Sequence, residues 1–239
     1  AEDADSDGEP DFGDIDDDND GVGDDSDFLK GNISSISRGG GRRSFLINLS
    51  IDGKSKLNQV FNGTLKVNIT NGSKLLLEFN WTFNSSNSLD LRNITINRTT
   101  NGSGGLSING INLKQFNMTK TVYLESLNST TDSICIKDSE NVNYQDISSD
   151  CSGAFESLIS CDGVKNNGYT CTDVGDRYRV SGLNNSAVKE LCVDLDGDGY
   201  GEGCSSGTDC DDTDSGKTTD CSSGDSGSSS SSSSGGGSG

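Results

Sequence analysis

Residues 65–83 read LKVNITNGSKLLLEFNWTF, and this stretch decides the fold class of the 239-residue chain. Apolar and polar residues alternate from Leu65 to Thr70, and the alternation resumes after the Asn71-Gly72 pair and continues to Phe83. Alternation with a period of two on both sides of an Asn-Gly pair predicts two antiparallel strands joined by a tight turn.

Similar short runs continue on both sides of this hairpin and predict six strands. A mainly β fold follows, with a small antiparallel β-sandwich over residues 28–131. An extended N-terminal arm (1–27) precedes the sandwich, and a disulfide-rich, loop-rich region (132–221) and a flexible Ser/Gly tail (222–239) follow it. The predicted strands are 44–51, 57–69, 74–83, 88–96, 106–113 and 121–127.

The sandwich region is dense in N-x-S/T sequons, the acceptor sequence for N-glycosylation. Twelve occur between residues 32 and 128, which predicts an exported protein with a solvent-facing coat of covalent glycans. The alternative is a surface rich in Asn, Ser and Thr that carries no sugar. The candidate acceptors are Asn32, Asn48, Asn62, Asn68, Asn71, Asn80, Asn84, Asn93, Asn97, Asn101, Asn117 and Asn128, with Asn184 further on.

The first 27 residues hold fourteen acidic side chains and no Lys or Arg, and the acids fall into two successive registers. Each register places Asp at positions 1, 3, 5, 9 and 12 and Gly at position 6 of a twelve-residue loop, with a backbone carbonyl at position 7. This is how an EF-hand loop supplies oxygen ligands to Ca²⁺. The alternative is an acidic disordered tail. The predicted ligands are Asp3, Asp5, Asp7, Glu9 (carbonyl), Asp11 and Asp14, then Asp16, Asp18, Asp20, Val22 (carbonyl), Asp24 and Asp27.

The spacing DxDxDGxxDxxD, with no amphipathic helix on either side, resembles the thrombospondin type-3 repeat. The resemblance covers about 27 residues. It implies an extended segment wrapped around a row of calcium ions, with little hydrophobic core of its own. Repeats of that family often carry cysteines and this copy has none, so its order would depend on the metal alone.

All eight cysteines lie between residues 135 and 221, with no CxxC pair and no His. That pattern disfavours a zinc site. An even number of cysteines in an exported chain predicts four disulfides, which could be paired in any of 105 ways. Local pairs such as 135–151 and 161–171 are two of the possibilities. Free thiols in a reducing cytosol are the alternative. Two short helices are expected at 154–160 and 186–191. The cysteines are Cys135, Cys151, Cys161, Cys171, Cys192, Cys204, Cys210 and Cys221.

A second acidic motif, DLDGDGYG followed by DCDD, begins after Cys192. It repeats the register through position 7 but has Ser205 at position 12, so the remaining ligands are expected from the DCDD stretch. The motif resembles a metal-binding repeat of bacterial and archaeal surface proteins, and its hard oxygen ligands suit calcium rather than copper. The predicted ligands are Asp194, Asp196, Asp198, Tyr200 (carbonyl), Asp209, Asp211, Asp212 and Asp214.

Charge is distributed unevenly within the net −20. Residues 1–27 carry −14, residues 28–131 carry +8 and residues 132–239 carry −14. A basic middle between acidic ends favours head-to-tail contacts between copies, which would form a homopolymer. No run approaches the length of a membrane span, and a nucleic-acid partner is not expected. The absence of an initiator Met at Ala1 is expected of a processed form.

Together these features predict a calcium-binding, heavily N-glycosylated structural protein that is secreted or held at a cell surface. It would be a self-assembling subunit of a filament or layer, and the chain as a whole resembles an archaeal secreted surface glycoprotein. The absence of His removes Ser-His-Asp triads, and no carboxylate pair is evident, so an enzyme is not expected. The alternative is a monomeric calcium-stabilised adhesin or carbohydrate-binding module.

Overall fold

The computed structural model describes residues 8, 10, 13–39, 46–99, 104–126, 133–191, 200–201, 209–211, 213–216 and 219. Within these residues lie fifteen strands and four short 3-10 helices. The 3-10 helices are Ile33–Ser35, Leu91–Asn93, Lys114–Phe116 and Tyr144–Asp146. The strands are β1 Leu29–Lys30, β2 Ser37–Gly39, β3 Ile47–Ile51, β4 Gly63–Asn71, β5 Lys74–Phe83, β6 Leu89–Asp90, β7 Thr95–Arg98, β8 Gly105–Asn109, β9 Lys120–Glu125, β10 Ser133–Lys137, β11 Glu156–Ser160, β12 Asp162–Asn166, β13 Tyr169–Asp173, β14 Arg177–Leu183 and β15 Ala187–Glu190.

Most of the strands belong to two large sheets, so the predicted mainly β fold is confirmed. A six-stranded sheet has the order β11-β10-β15-β8-β7-β2, and a seven-stranded sheet has the order β12-β13-β14-β9-β5-β4-β3. Their buried side chains form one hydrophobic core that includes Phe79 and Val180 from one sheet and Ile96 and Ile108 from the other. Pairing is antiparallel except for β1 with β6 and β2 with β7.

The hairpin predicted from residues 65–83 is formed by β4 and β5, with Asn71 paired with Lys74 across the turn. Most of the inward set from the alternation, such as Val67 and Phe79, is buried, while Leu65 and Leu75 at the strand ends are half-buried. The pairing shifts after Ile69, which lies opposite Leu77, while Thr70 lies opposite Leu75. The bulge leaves Leu76 as an extra residue. Leu76 is therefore buried, although strict alternation places it on the polar face.

Strands from both sides of residue 131 share the two sheets. In the seven-stranded sheet β14 pairs with β9, and in the six-stranded sheet β15 lies between β10 and β8. Segments 28–131 and 132–191 therefore contribute to one core. The two helices expected at 154–160 and 186–191 are wrong, because β11 and β15 occupy those positions. Cross-strand pairing decides the conformation of such short segments more strongly than local propensity.

Two disulfides close loops in the C-terminal half of the sandwich. Cys135 pairs with Cys151 and Cys161 with Cys171. The first bond ties the middle of β10 to the loop before β11, and the second joins β13 to the junction between β11 and β12. Cys210 is also disulfide-bonded. Cys192, Cys204 and Cys221 lie outside the described residues.

None of the helices in the described part of the chain has the length and apolarity needed to span a membrane.

Candidate metal centre

Three carboxylates of the second N-terminal register converge. Asp16, Asp18 and Asp20 each offer an oxygen, and these atoms all lie within 4.8 Å of one another. They occupy positions 1, 3 and 5 of the loop predicted from the sequence. Three close carboxylate oxygens repel one another unless a cation lies among them, and such hard oxygen donors suit a hard divalent metal ion.

The backbone of the loop folds around the first of these carboxylates. Asp20 donates its N–H to Oδ1 of Asp16 at 3.2 Å, and Gly21 donates to Oδ2 at 2.8 Å. Gly21 has φ +92°, which a side-chain-bearing residue adopts only with strain. The Gly at position 6 therefore makes the sharp turn that brings positions 1 and 5 together.

Asp18 joins the loop to the sandwich. Its Oδ2 accepts a 2.5 Å hydrogen bond from the N–H of Gly31, directly after β1, while its buried Oδ1 has no hydrogen-bond partner. Burial raises the pKa of Asp18, and the negative charges of Asp16 and Asp24 raise it further. A buried oxygen without a donor next to two more carboxylates is the environment of a metal ligand.

Asp27, at position 12, completes the negative cluster. It is 5 % exposed and accepts a hydrogen bond from Leu29 N at 2.9 Å. Burial raises its pKa to about 6, with smaller contributions from the charges of Asp18 and Asp20. Burial of a carboxylate among like charges is unfavourable, and a bound cation would remove that cost. The residues present therefore fit a metal ion.

The remaining predicted ligands of this register are nearby. Asp24, at position 9, accepts from Asp17 N at 3.2 Å and adds to the negative potential at Asp18. Val22 is buried, and its N–H donates to Asp20 Oδ1 at 2.8 Å. Asp14, position 12 of the first register, accepts from Asp16 N at 3.0 Å. Asp3, Asp5, Asp7, Glu9 and Asp11 lie outside the described residues.

The second acidic motif is described only in part. Asp209 accepts from Asp211 N at 2.9 Å, and its buried Oδ2 has no hydrogen-bond partner. Asp214 N donates to the carbonyl of Asp211 at 2.8 Å, so these acids lie on one turn. Tyr200 is half-buried. Asp194, Asp196, Asp198 and Asp212 are outside the described residues, and the described acids of this motif do not form a group of three.

The sequons differ in accessibility. Asn97 is half-buried: its Nδ2 faces the buried hydroxyl of Ser107 at 3.5 Å, and its Oδ1 lies where a Cβ on Gly39 would be. Asn101 and Asn128 lie outside the described residues. Asn68, Asn71, Asn84 and Asn184 are also half-buried, and the exposed acceptors are Asn32, Asn48, Asn62, Asn80, Asn93 and Asn117.

Two structural features were not predicted from the sequence, one at the metal cluster and one elsewhere on the sandwich. Gly31 contributes the N–H that fixes Asp18, and nothing in the acidic register indicates a partner so far along the chain. A polar cleft of about 200 Å³ lies elsewhere on the sandwich, lined by Asn109, Asn112, Glu140 and Asn185 among others. Its lining comes from three separate stretches of the chain, near residues 110, 140 and 185, so no local sequence pattern indicates it.

No family model, curated protein or solved structure matches this chain.

Proposed function

We propose that this protein is a calcium-binding, N-glycosylated structural subunit that assembles outside the cell into a filament or layer. The observation that carries the proposal is the convergence of Asp16, Asp18 and Asp20 beside buried Asp27, on a loop hydrogen-bonded to the sandwich through Gly31. The loop spacing and the oxygen-only ligand set favour calcium among the common divalent ions.

Calcium would supply positive charge and oxygen coordination at this cluster. Hydrogen bonds from the chain's own backbone position the carboxylates. The N–H groups of Asp20 and Gly21 hold the Asp16 carboxylate in place, and Gly31 holds the Asp18 carboxylate against the sandwich. Relief of carboxylate repulsion would make the arm a rigid extension of the β domain instead of a repelling acidic segment.

Assembly into a homopolymer is supported by the charge distribution. The arm carries −14 and residues 28–131 carry +8, so the arm of one copy and the β domain of the next attract each other. A contact between unlike surfaces can repeat without closing, which gives filaments or layers. The two disulfides within the sandwich are consistent with an oxidising location.

Calcium binding is tested by calorimetry on Asp18→Asn, with Asp25→Asn as the matched control. Both substitutions remove one negative charge from the arm, but Asp25 is exposed and holds position 10, which supplies no ligand. We expect Asp18→Asn to weaken one calcium site at least about tenfold, in line with the loss of a charged ligand, and Asp25→Asn to change it less than about twofold. Equal effects of the two substitutions on calcium affinity would show that binding depends only on the total charge of the arm.

Assembly is tested by electron microscopy of native, non-reduced protein with and without EDTA. We expect ordered filaments or sheets that fray when calcium is removed. Assemblies that keep their order after complete removal of the ions would contradict the calcium dependence. Monodisperse particles in both conditions would contradict the structural-subunit proposal itself.

A second candidate function is a monomeric carbohydrate-binding surface module, which the polar cleft favours. Asn112 donates to Glu140 Oε1 at 2.5 Å, and the buried Oδ1 of Asn109 has no hydrogen-bond partner. Amide and carboxylate groups around a concave site suit the hydroxyls of a sugar. Binding in a glycan screen that is lost in Asn112→Ala would support this candidate.

A further inference from the structure

Asn32, one of the exposed glycosylation acceptors, lies at the wall of a cavity. It follows β1 and forms the N-terminal cap of the 3-10 helix Ile33–Ser35. Its Oδ1 accepts a hydrogen bond from Ser34 N at 3.1 Å, which restricts the orientation of the side-chain amide. The cap uses only the oxygen of that amide, so Nδ2, the atom that carries the sugar in an N-glycan, is left available.

The cavity at Asn32 has a volume of about 320 Å³ and is bounded by three segments of the chain. The first is the arm and the second is the stretch between β1 and the 3-10 helix, while the loop between β3 and β4 supplies the third. A volume at the lower end of the range of about 300–1,000 Å³ for ligand pockets suits a single sugar ring. The lining residues are Asp20, Leu29, Gly31, Asn32, Ile33, Ser55, Leu57 and Asn58.

The lining combines apolar and neutral polar groups, as a sugar requires. Ile33 and Leu57 are half-buried and pack on the hydrophobic core, so they offer an apolar wall to the C–H face of a ring. Ser55 and Asn58 are exposed polar residues of the lining, and they suit hydroxyl groups, which must keep hydrogen bonds when they leave water. The carboxylate of Asp20 can accept from a hydroxyl but repels an anion. A neutral sugar therefore fits this lining better than an anionic or a wholly apolar ligand.

A sugar carried on Asn32 would begin at the wall of this cavity. Its link to the chain makes binding intramolecular, and a short link gives an effective concentration in the millimolar range. A site with only weak affinity for a free sugar would therefore be filled by the attached one. The hydrogen bond that holds the Asn32 amide also reduces the conformational entropy that the glycan loses when it enters the cavity.

We propose that the first sugar of an N-glycan on Asn32 occupies this cavity and joins the arm to the sandwich. This inference rests on the N-glycosylation proposed above and gives one glycan a structural role. The sugar ring contacts the arm at Asp20 and the loop at 55–58, two segments that are distant in sequence. It holds these segments together, whereas a glycan on Asn117, which does not line the cavity, only covers surface.

The first test removes the glycan and leaves the cavity lining unchanged. Ser34→Ala destroys the sequon of Asn32 but keeps the backbone N–H that caps it. Hydroxyl-radical footprinting of the native, calcium-loaded glycoprotein then measures the exposure of Leu57. We expect Leu57 to be oxidised at least about threefold faster in Ser34→Ala than in wild type, because an attached sugar covers it most of the time. Val60, 54 % exposed in the same loop, should react equally in both proteins.

Two controls separate loss of the sugar from other effects. Thr119→Ala destroys the sequon of Asn117 at an equally exposed position, and Leu57 should react in this variant as it does in wild type. Wild-type protein from a host without N-glycosylation should show the same fast oxidation as Ser34→Ala. Slow oxidation of Leu57 in that sugar-free wild type would assign the effect to the Ala substitution and overturn the inference.

The outcomes distinguish the inference from the proposed function. Equal oxidation of Leu57 in wild type and Ser34→Ala would overturn the inference and leave the proposed function standing. The same holds if glycopeptide mass spectrometry finds Asn32 unmodified while Asn80 and Asn117 carry sugar. Absence of sugar from every acceptor would overturn the proposed N-glycosylation itself, and the inference with it.

Calcium affinity provides a second readout, because Asp20 belongs to both the cavity and the metal cluster. A sugar that joins the arm to the sandwich favours the arrangement of the arm that binds calcium. We expect calorimetry to show calcium binding at least about fivefold weaker in Ser34→Ala than in wild type, as for two coupled sites. Thr119→Ala should bind calcium as wild type does. Unchanged calcium affinity in Ser34→Ala would overturn the role of the sugar in joining arm and sandwich.

Discussion

A buried lysine makes the stability of the sandwich depend on pH. Lys120, in β9, is 1 % exposed and donates from Nζ to the carbonyls of Ile108 and Ile111 at 3.4 and 3.2 Å. Burial lowers its pKa to about 7, and the negative charge of Asp138 only partly opposes the shift. Asp138 is itself bound by Tyr169 and by backbone N–H groups after β14.

The direction of the pH effect follows from the two pKa values of Lys120. The unfolded chain has the ordinary pKa of 10.5 and the folded chain a pKa of about 7, so between these values the unfolded state holds more protons. The free energy of unfolding therefore rises with pH across this window and is lowest below pH 7. At about 1.4 kcal/mol per pKa unit, the effect amounts to several kcal/mol.

Lys120→Met should remove this dependence. The variant loses two hydrogen bonds at alkaline pH but no longer buries a charge at acidic pH. We expect its stability relative to wild type to be lowest at pH 9 and to improve steadily down to pH 6. Urea unfolding in excess calcium at four pH values measures the difference, and Lys114→Met, at an exposed lysine, is the control. A pH-independent difference between Lys120→Met and wild type would contradict the buried titration.

Residue spacing predicted part of these sites and missed the rest. The register of Asp16, Asp18 and Asp20 predicted their convergence, because side chains two apart around a tight turn share one centre. The period-two pattern of β9 places Lys120 on the inward face with Val122 and Leu124. The burial of Lys120 could therefore have been predicted from the sequence. The contact of Asp18 with Gly31 was not predictable, since it depends on how the arm meets the sandwich.

At the scale of elements, strands were predictable where pairing is local. β4 and β5 are consecutive, long and joined by an Asn-Gly turn; the predicted bounds of β5 held, and β4 spans Gly63–Asn71 rather than the predicted 57–69. β11 and β15 are short, and β15 pairs with β8 and β10, which are distant in sequence. A four-residue strand between two remote partners shows little periodicity of its own, so local sequence favoured helices there and the prediction failed.

The β12–β13 hairpin is expected to depend on its disulfide. β12 is an outer strand with every residue exposed, so packing contributes little to holding it. Cys161 and Cys171 close a loop with a sequence separation of 10, and the chain-entropy model gives about 3 kcal/mol for a loop of that size. Replacing both cysteines with Ser should lower the free energy of unfolding by about that amount.

Non-reducing urea unfolding of the Cys161→Ser/Cys171→Ser variant measures this loss. Calcium affinity is the internal control, because the hairpin lies at the edge opposite β3 and the arm. A loss of stability below about 0.5 kcal/mol would show that pairing with β14 holds the hairpin without the covalent bond. A change in calcium affinity would contradict the separation of the two edges.

At the scale of the whole molecule, composition predicted the fold class but not the way the chain divides. The change from sequon-rich to cysteine-rich sequence near residue 131 marked a domain boundary in the prediction. In the structure, each sheet contains strands from both sides of that point, and the two groups meet at the β14–β9 and β15–β8 pairs. The composition of a segment reflects its surface and its cysteine content. Strand order depends instead on which distant segments pair with each other.

Truncation after residue 131 should therefore yield no folded sandwich. The fragment lacks β14, the partner of β9, and β15, the partner of β8, so both sheets would end at strands that are interior in the full chain. We expect poorly dispersed amide resonances and rapid hydrogen exchange from 28–131, and protected, dispersed spectra from 28–191. A cooperatively folded 28–131 fragment would contradict this expectation.

The strand pairs that join the two halves of the chain bear on when it can fold. β9 and β14 are separated by more than fifty residues, and β15 must enter between β8 and β10 after both have been made. Contacts of such high contact order form slowly, and they cannot form on a ribosome until residue 190 has emerged. The two sheets of such a chain are completed only when the last strand arrives, so the strand edges that β14 and β15 cover stay open through most of its synthesis.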